Sequence, residues 1–265
     1  MRISCLQYTA ESSVATTESR LYPLLDQAVS ERADWVLLPE CALSLSASAD
    51  QTRAHALSMD SDPVRRLFAW AKTEGRGLIV GSLVIEEAGR LMNRCLVIDR
   101  TGELIAQYDK IHLFDVELGG GEAYRESAVF AAGDRPVLAS LAGVRVGLSI
   151  CFDLRFPKLY RHYASEGASI LLVPAAFTRT TGQAHWHTLL RARAIENGVF
   201  VVAAGQCGRT QAGRETYGHS VIYGPWGETV GELGEAPGVL TCELDLAEVA
   251  RGQSKIPVHP KDRDF

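Results

Sequence analysis

The chain has 265 residues, of which 46% are apolar and 22% charged, the proportions of a water-soluble globular protein long enough to bury a sizeable core. A net charge of −5, with no basic run, argues against nucleic acid or an anionic membrane as partner. No apolar run approaches the roughly 20 residues of a membrane helix.

The opening Met1-Arg-Ile-Ser-Cys-Leu-Gln-Tyr is too short and polar for a signal peptide, and Arg2 to Tyr8 reads as a first strand. Thr16 to Arg32 reads as a helix, with Leu21, Leu24, Leu25, Ala28 and Val29 on one face and Pro23 in its first turns. Trp35 to Leu38 is a buried strand stopped by Pro39, so Glu40 projects from a strand's C-terminal end, where α/β folds hold ligands. Ser44 to Ser58 carries little pattern and is expected to be a loop or a mobile cover. Pro63 to Glu74 is a helix closed by Gly75. Gly77 to Glu86, Leu91 to Asp99 and Glu103 to Asp109 follow as an antiparallel meander.

Ile111 to Ser127 is expected to be irregular. Its Gly119-Gly120-Gly121 lacks the helix start and Gly-Lys-Ser/Thr of a phosphate loop. Strand pieces around Val137 to Ser140 lead to Val144 to Ile150, a short β-branched strand. Cys151 stands where that strand turns towards a helix opened by Pro157, near free N–H groups that favour a thiolate or an oxyanion. On this stretch alone, a packed core thiol and a nucleophile are both open. Asp153 is placed to cap the helix. Ala168 to Pro174 is a strand, Gln183 to Asn197 a helix ended by Gly198, and Val199 to Ala204, Tyr217 to Tyr223, Glu228 to Leu233 and Val239 to Leu244 are further strands. A short helix and a polar end follow Asp245. The six cysteines (5, 41, 95, 151, 207 and 242) are scattered without a C-x-x-C pair, so reduced thiols and a cytoplasmic location are expected. No linker or repeat divides the chain, and a single α/β domain over residues 1–265 is the economical reading.

Three polar residues, Glu40, Lys110 and Cys151, fall at strand ends. A carboxylate can take a thiol proton and hand it to a leaving amine. An ammonium can hold the developing oxyanion. With Leu37-Leu-Pro-Glu40, Tyr108-Asp-Lys-Ile-His-Leu-Phe114 and Gly147-Leu-Ser-Ile-Cys-Phe-Asp-Leu-Arg-Phe-Pro157, and with Pro174-Ala-Ala-Phe177, His185-Trp186, Arg191 to Asn197 and Gly218-His-Ser220 further on, the chain resembles the nitrilase superfamily of carbon–nitrogen hydrolases over its whole length. The resemblance implies a four-layer α-β-β-α sandwich, dimerised through helices such as Lys158 to Glu166 and Gln183 to Asn197. It implies a Glu40–Lys110–Cys151 triad and a second glutamate, Glu126, sixteen residues after the lysine.

Asp115-Val-Glu, Tyr124-Arg-Glu-Ser127, Phe177-Thr and Ala203-Ala-Gly-Gln-Cys-Gly208 resemble the Nit-type amidases. Within them, the Gln-Cys-Gly run, Tyr217-Gly-His-Ser220 and Pro225-Trp-Gly227 resemble the deaminated-glutathione amidases. The implied reaction is attack of Cys151 on an amide, with the oxyanion on Lys110 and the Phe152 N–H, releasing 2-oxoglutarate and Cys-Gly. Tyr124, Arg155, Thr178 and Thr181 are candidates for the substrate carboxylate. The rivals are ω-amidase action on 2-oxoglutaramate, N-carbamoyl amino-acid hydrolysis, and a catalytically silent binding or assembly member. No cofactor or metal is expected: His185-x-His187 would fall on different helix faces. His187 departs from the glutamate common in relatives. His112 reads as a packing residue, Cys207 as a core thiol, and Arg191, Arg193 and Glu196 as a structural network.

Overall fold

A computed structural model describes residues 1–119 and 122–258. Gly120 and Gly121 of the glycine run, and the polar end 259–265, lie outside the described residues. In chain order the elements are β1 (Arg2–Gln7), α1 (Val14–Ser30), β2 (Trp35–Leu37), α2 (Ala49–Ala54), α3 (Asp62–Glu74), β3 (Gly77–Glu87), β4 (Arg90–Ile98), β5 (Leu104–Asp109), β6 (Asp115–Gly119) and β7 (Glu122–Arg125). Then come β8 (Leu138–Leu141), β9 (Val144–Leu148), α4 (Pro157–Ser165), β10 (Ile170–Leu172), α5 (Arg179–Asn197), β11 (Phe200–Ala203), β12 (Cys207–Arg209), β13 (Glu215–Tyr217), β14 (Val221–Tyr223), β15 (Thr229–Glu232), β16 (Gly238–Glu243) and α6 (Ala247–Lys255).

Two six-stranded sheets carry the fold, one in the order β16-β1-β2-β3-β4-β5, the other β15-β14-β11-β10-β9-β8. In the first, β1, β2 and β3 run parallel, and β3, β4 and β5 form the expected meander. In the second, β9, β10 and β11 run parallel. Alternation along the strands assigns the faces. Ile3, Cys5, Trp35 and Leu37 pack with Val146, Leu148, Ile170 and Leu172 between the sheets, in a cluster continuous with α4 and α5. Leu6, Val36, Leu38 and Val80 join Leu21 and Leu25 of α1 and Val64 and Leu67 of α3 on the outer side. The layers are therefore helix, sheet, sheet, helix, as in the expected sandwich. Among the described residues no helix is long and apolar enough to cross a membrane.

Some local expectations change. Residues 111–127 are not irregular throughout: β6 and β7 pair antiparallel as a separate hairpin. Ser13, not a later residue, caps α1, so Pro23 lies inside the helix rather than in its first turns. α5 starts at Arg179, four residues before the expected Gln183, because the Thr178 side chain caps it by accepting from Thr181 N–H. Tyr217 to Tyr223 is two strands in different sheets, broken at Gly218 and His219, both with positive φ. Residues 44–58 include the short helix α2.

Candidate active site

β2 and β9 are parallel strands, and β5, the third strand of the meander, runs in the direction of β3; the residues that follow these three strands meet at one place. β2 runs into Pro39 and Glu40, β5 into Lys110, and β9 into Cys151. Cys151 holds φ +49°, a left-handed conformation that costs a non-glycine residue about 1 kcal/mol. Its N–H donates to the Pro174 carbonyl at 2.9 Å, which ties the turn after β9 to the chain just beyond β10. A 3₁₀ turn over Cys151–Arg155 starts there. The Phe152 N–H has no backbone partner among the described residues, as expected for an N–H in the first turn of a helical segment.

The three side chains meet. Lys110 Nζ donates to Glu40 Oε1 at 2.8 Å and lies 2.9 Å from Glu126 Oε2. The Cys151 thiol shares their cavity and feels the Glu40 charge. Glu40 Oε1 also accepts from Asn93 Nδ2 at 3.0 Å, and Oε2 from the Ala176 N–H at 2.8 Å. Glu126 Oε2 accepts from the Phe114 N–H at 2.8 Å, which anchors the second carboxylate from the far side. Lys110 and Glu40 are 1% and 3% exposed, so the pair is desolvated and only its dense hydrogen bonding offsets that cost.

The protonation states follow. Burial opposes the Glu40 charge, but Lys110, the thiol and the Ala176 N–H outweigh it and hold the carboxyl below its ordinary value. Burial also opposes the Lys110 charge, and Glu126 and Glu40 outweigh it, so the ammonium persists. For Cys151, burial and then the Glu40 charge raise the thiol well above its ordinary value, against the pull of Lys110. The resting set is carboxylate, ammonium and neutral thiol. A carboxylate sharing a cavity with a thiol can remove its proton as the sulfur attacks, and the adjacent ammonium can meet the oxyanion.

Glu40, Lys110, Glu126, Cys151, Phe152, Arg155, Thr178 and Thr181 share one small cavity with about 10 Å³ of free volume, room for about one water. Tyr124 is not in that cavity. Its ring lies tilted against Phe114 (centroids 5.1 Å apart), and Tyr124 lines an adjoining groove of about 340 Å³. A larger cavity, about 660 Å³, lies at the opposite strand ends, among Trp35, Arg76, Ile105 and Val144, and carries none of these residues. Sequence reasoning missed Asn93, which orients Glu40, and Arg214, which lines both the small cavity and the groove.

A model for the carbon–nitrogen hydrolase family matches residues 2–253. The chain belongs to that family. This carbon–nitrogen hydrolase is 36% identical over 259 residues to the deaminated glutathione amidase of Synechocystis sp., spanning 96% of this chain and 95% of the relative. It is 34% identical over 262 residues to the omega-amidase NIT2 of Homo sapiens, with 99% and 95% covered. Its fold is similar to the C. elegans NitFhit protein at TM-score 0.93 and 33% identity, over 99% of this chain and 65% of that longer one.

In this hydrolase Asp153 does not cap α4, which follows Phe156 without a side-chain cap, but holds the N–H at the head of the 3₁₀ turn. It is fully buried and accepts from the Ile150 N–H at 2.8 Å, Tyr108 OH at 2.7 Å and the His112 N–H at 3.1 Å, with His112 Nδ1 at 2.7 Å. One carboxylate thereby ties the residues flanking Lys110 to the turn bearing Cys151. His112 stacks on Phe156 (centroids 3.6 Å apart), a packing role as expected. Asp153→Ala orphans several buried donors, and an expected loss of about 3 kcal/mol is measurable as a lower urea midpoint at unchanged m-value. Arg193 donates twice to the Leu154 carbonyl and pairs with Glu196 at 2.9 Å, bracing the same turn. Arg191 lies over the Tyr223 ring instead. His187 faces Tyr223 OH at 3.2 Å and Glu232 at 3.6 Å, outside the small cavity, while His185 lies 3.3 Å from Arg155. Cys207 is buried in the core, its thiol pushed up to about 11 by burial.

Proposed function

We propose that this hydrolase cleaves a linear amide through a thioester on Cys151. The observation that carries the reading is the Lys110 ammonium held between Glu40 and Glu126, in one cavity with the Cys151 thiol. Glu40 takes the thiol proton as Sγ attacks the amide carbonyl. The oxyanion rests on Lys110 Nζ and the Phe152 N–H. Glu40 then protonates the amine nitrogen as the C–N bond breaks. Next it deprotonates a water that attacks the thioester, and the thiol is restored with release of the acid. Glu126 positions Lys110. Arg155 and the Thr178 and Thr181 hydroxyls, which wall the cavity, take the substrate carboxylate.

The substrate in this reading is deaminated glutathione, giving 2-oxoglutarate and Cys-Gly. The Synechocystis relative and the Gln206-Cys207-Gly208 run support it. Omega-amidase action on 2-oxoglutaramate is the second reading, supported by the human relative. Intact mass after brief mixing with either amide is expected to show the acyl thioester on Cys151, and kcat/KM on the two compounds decides between them. Faster turnover of 2-oxoglutaramate would overturn the choice of substrate. The reading also includes a cytoplasmic homodimer packed through its outer helices. The scattered reduced thiols support the compartment, and Ile195 on α5, 51% exposed beside the 58% exposed Trp226, supports the contact.

The pH profile tests the assigned base. Glu40 must be ionised, and its carboxyl lies below the ordinary 4.5. Acidification therefore costs activity only as pH falls through that lowered value. The thiol lies well above 9.0, so kcat/KM is expected to show no rise between pH 7 and 9. An acid limb centred above about pH 6, in the ordinary histidine range, would assign the base elsewhere.

A further inference from the structure

The small cavity and the 340 Å³ groove share three wall residues: Glu40, Glu126 and Arg214. The cavity holds Cys151 and the acyl-side residues Arg155, Thr178 and Thr181. The groove is within the size range of small-ligand sites, about 300–1,000 Å³. It runs from Glu40 past Ser44, Ala47 and Thr52 on one side and Tyr124 on the other.

Charge within the groove is uneven. Glu126 is held by Lys110, and Arg125 pairs with Glu117. Among the described residues Arg214 has no such partner. Its Nε is buried without a hydrogen-bond acceptor among the described residues, and its guanidinium lies 5.4 Å from the centre of the Tyr124 ring. Its backbone is pinned in a turn, the Thr210 N–H donating to the Arg214 carbonyl and the Arg214 N–H to the Thr210 hydroxyl. A positioned guanidinium with an unused donor is suited to a carboxylate.

The direction of the reaction assigns the groove. In the mechanism proposed above, on which this inference rests, Glu40 hands its proton to the departing nitrogen. That nitrogen must lie against Glu40, and what is bonded to it extends along the wall that Glu40 shares with the groove. The acyl side lies towards Arg155 and the threonines. We infer that the groove between residues 44–52 and Tyr124 is a leaving-group subsite, in which Arg214 binds the free carboxylate of an amino-acid or peptide amine. The enzyme is thus built for amides whose amine half carries its own carboxylate, and a primary amide leaves the groove unused.

Three amides sharing one acyl group test this: deaminated glutathione, its C-terminal carboxamide, and 2-oxoglutaramate. In wild-type enzyme the free acid is expected to be hydrolysed with the highest kcat/KM. Arg214→Met is expected to lower the ratio of free acid to carboxamide by about 30-fold, the scale of one charge-assisted contact, and Arg214→Lys to restore most of it. Ala47→Trp, which fills the groove away from Cys151, is expected to depress both dipeptide substrates about tenfold relative to 2-oxoglutaramate, by steric exclusion. Equal losses on all three amides in both variants, or ratios that do not move, overturn the groove. The control is intact mass, because all three amides leave the same acyl group on Cys151. Adduct formation with unmoved ratios refutes the groove alone, whereas no adduct from any amide refutes the hydrolytic mechanism and the groove with it.

Discussion

Replacing Cys151 with alanine is expected to lower amide turnover by about 10⁴-fold or more, the loss typical when a covalent nucleophile is removed. No other thiol substitutes for it: among the described residues Cys151 is the one cysteine lining the small cavity. The fold should survive, since alanine keeps the backbone conformation and removes one sulfur from a site braced by Asp153 and Arg193. Unfolding by urea at nearly the same midpoint, together with loss of the acyl adduct, is the expected pair of results. Retained turnover would return Cys151 to the class of packed core thiols and favour a catalytically silent protein.

The second large effect belongs to Glu40→Gln. The amide is nearly isosteric and keeps an oxygen for Asn93 and Lys110, but it cannot accept the thiol proton. Its NH₂ must also face the Ala176 N–H or Lys110. Loss of a general base is worth about 10²–10⁴-fold, and in the proposed mechanism Glu40 serves both half-reactions, so the upper end is expected in kcat. Removing one partner of a buried ion pair costs about 3–5 kcal/mol, moderated here because Glu126 still faces Lys110. The acid titration carries a sign. Because the Glu40 carboxyl is depressed in the folded state, it contributes stability that is present above its unfolded value and lost as pH falls through the folded one. Wild-type stability should therefore drop in that acid window, and the variant should lack that part of the drop. Denaturant midpoints of the two proteins between pH 3 and pH 7 measure the difference.

The strand ends were legible because the chain marks them chemically. Proline follows β2, a Tyr-Asp-Lys sequence closes β5, and small residues thin out before Cys151. These signals put three reactive groups at one edge before any geometry was known. The hairpin of β6 and β7 left no such mark. Its residues alternate between exposed and half-exposed, so no apolar face repeats along it, and a solvated ribbon reads as a loop. The start of α5 was hidden for a related reason: Arg179-Thr-Thr-Gly lacks apolar spacing, and the helix begins on a threonine cap and on Gly182. A Cβ at Gly182 would come within 2.3 Å of the Tyr217 ring, so the glycine there reflects close packing. Arg214 stands in a polar run, Arg209 to Glu215, that resembles any surface turn. Only the folded chain brings it to Glu40. Tyr124, one of the residues considered for the substrate carboxylate, lies two positions from Glu126 but falls on the groove side.

The neutral resting thiol has a consequence for how the protein ages. Peroxide and disulfide exchange consume thiolates, and susceptibility follows the ionised fraction. Burial, and then the Glu40 charge, keep Cys151 protonated. Burial also lifts Cys41 and Cys95 to about 12. A protein whose Cys151 rests as the neutral thiol should outlast, under oxidative stress, one that stores a thiolate permanently beside solvent.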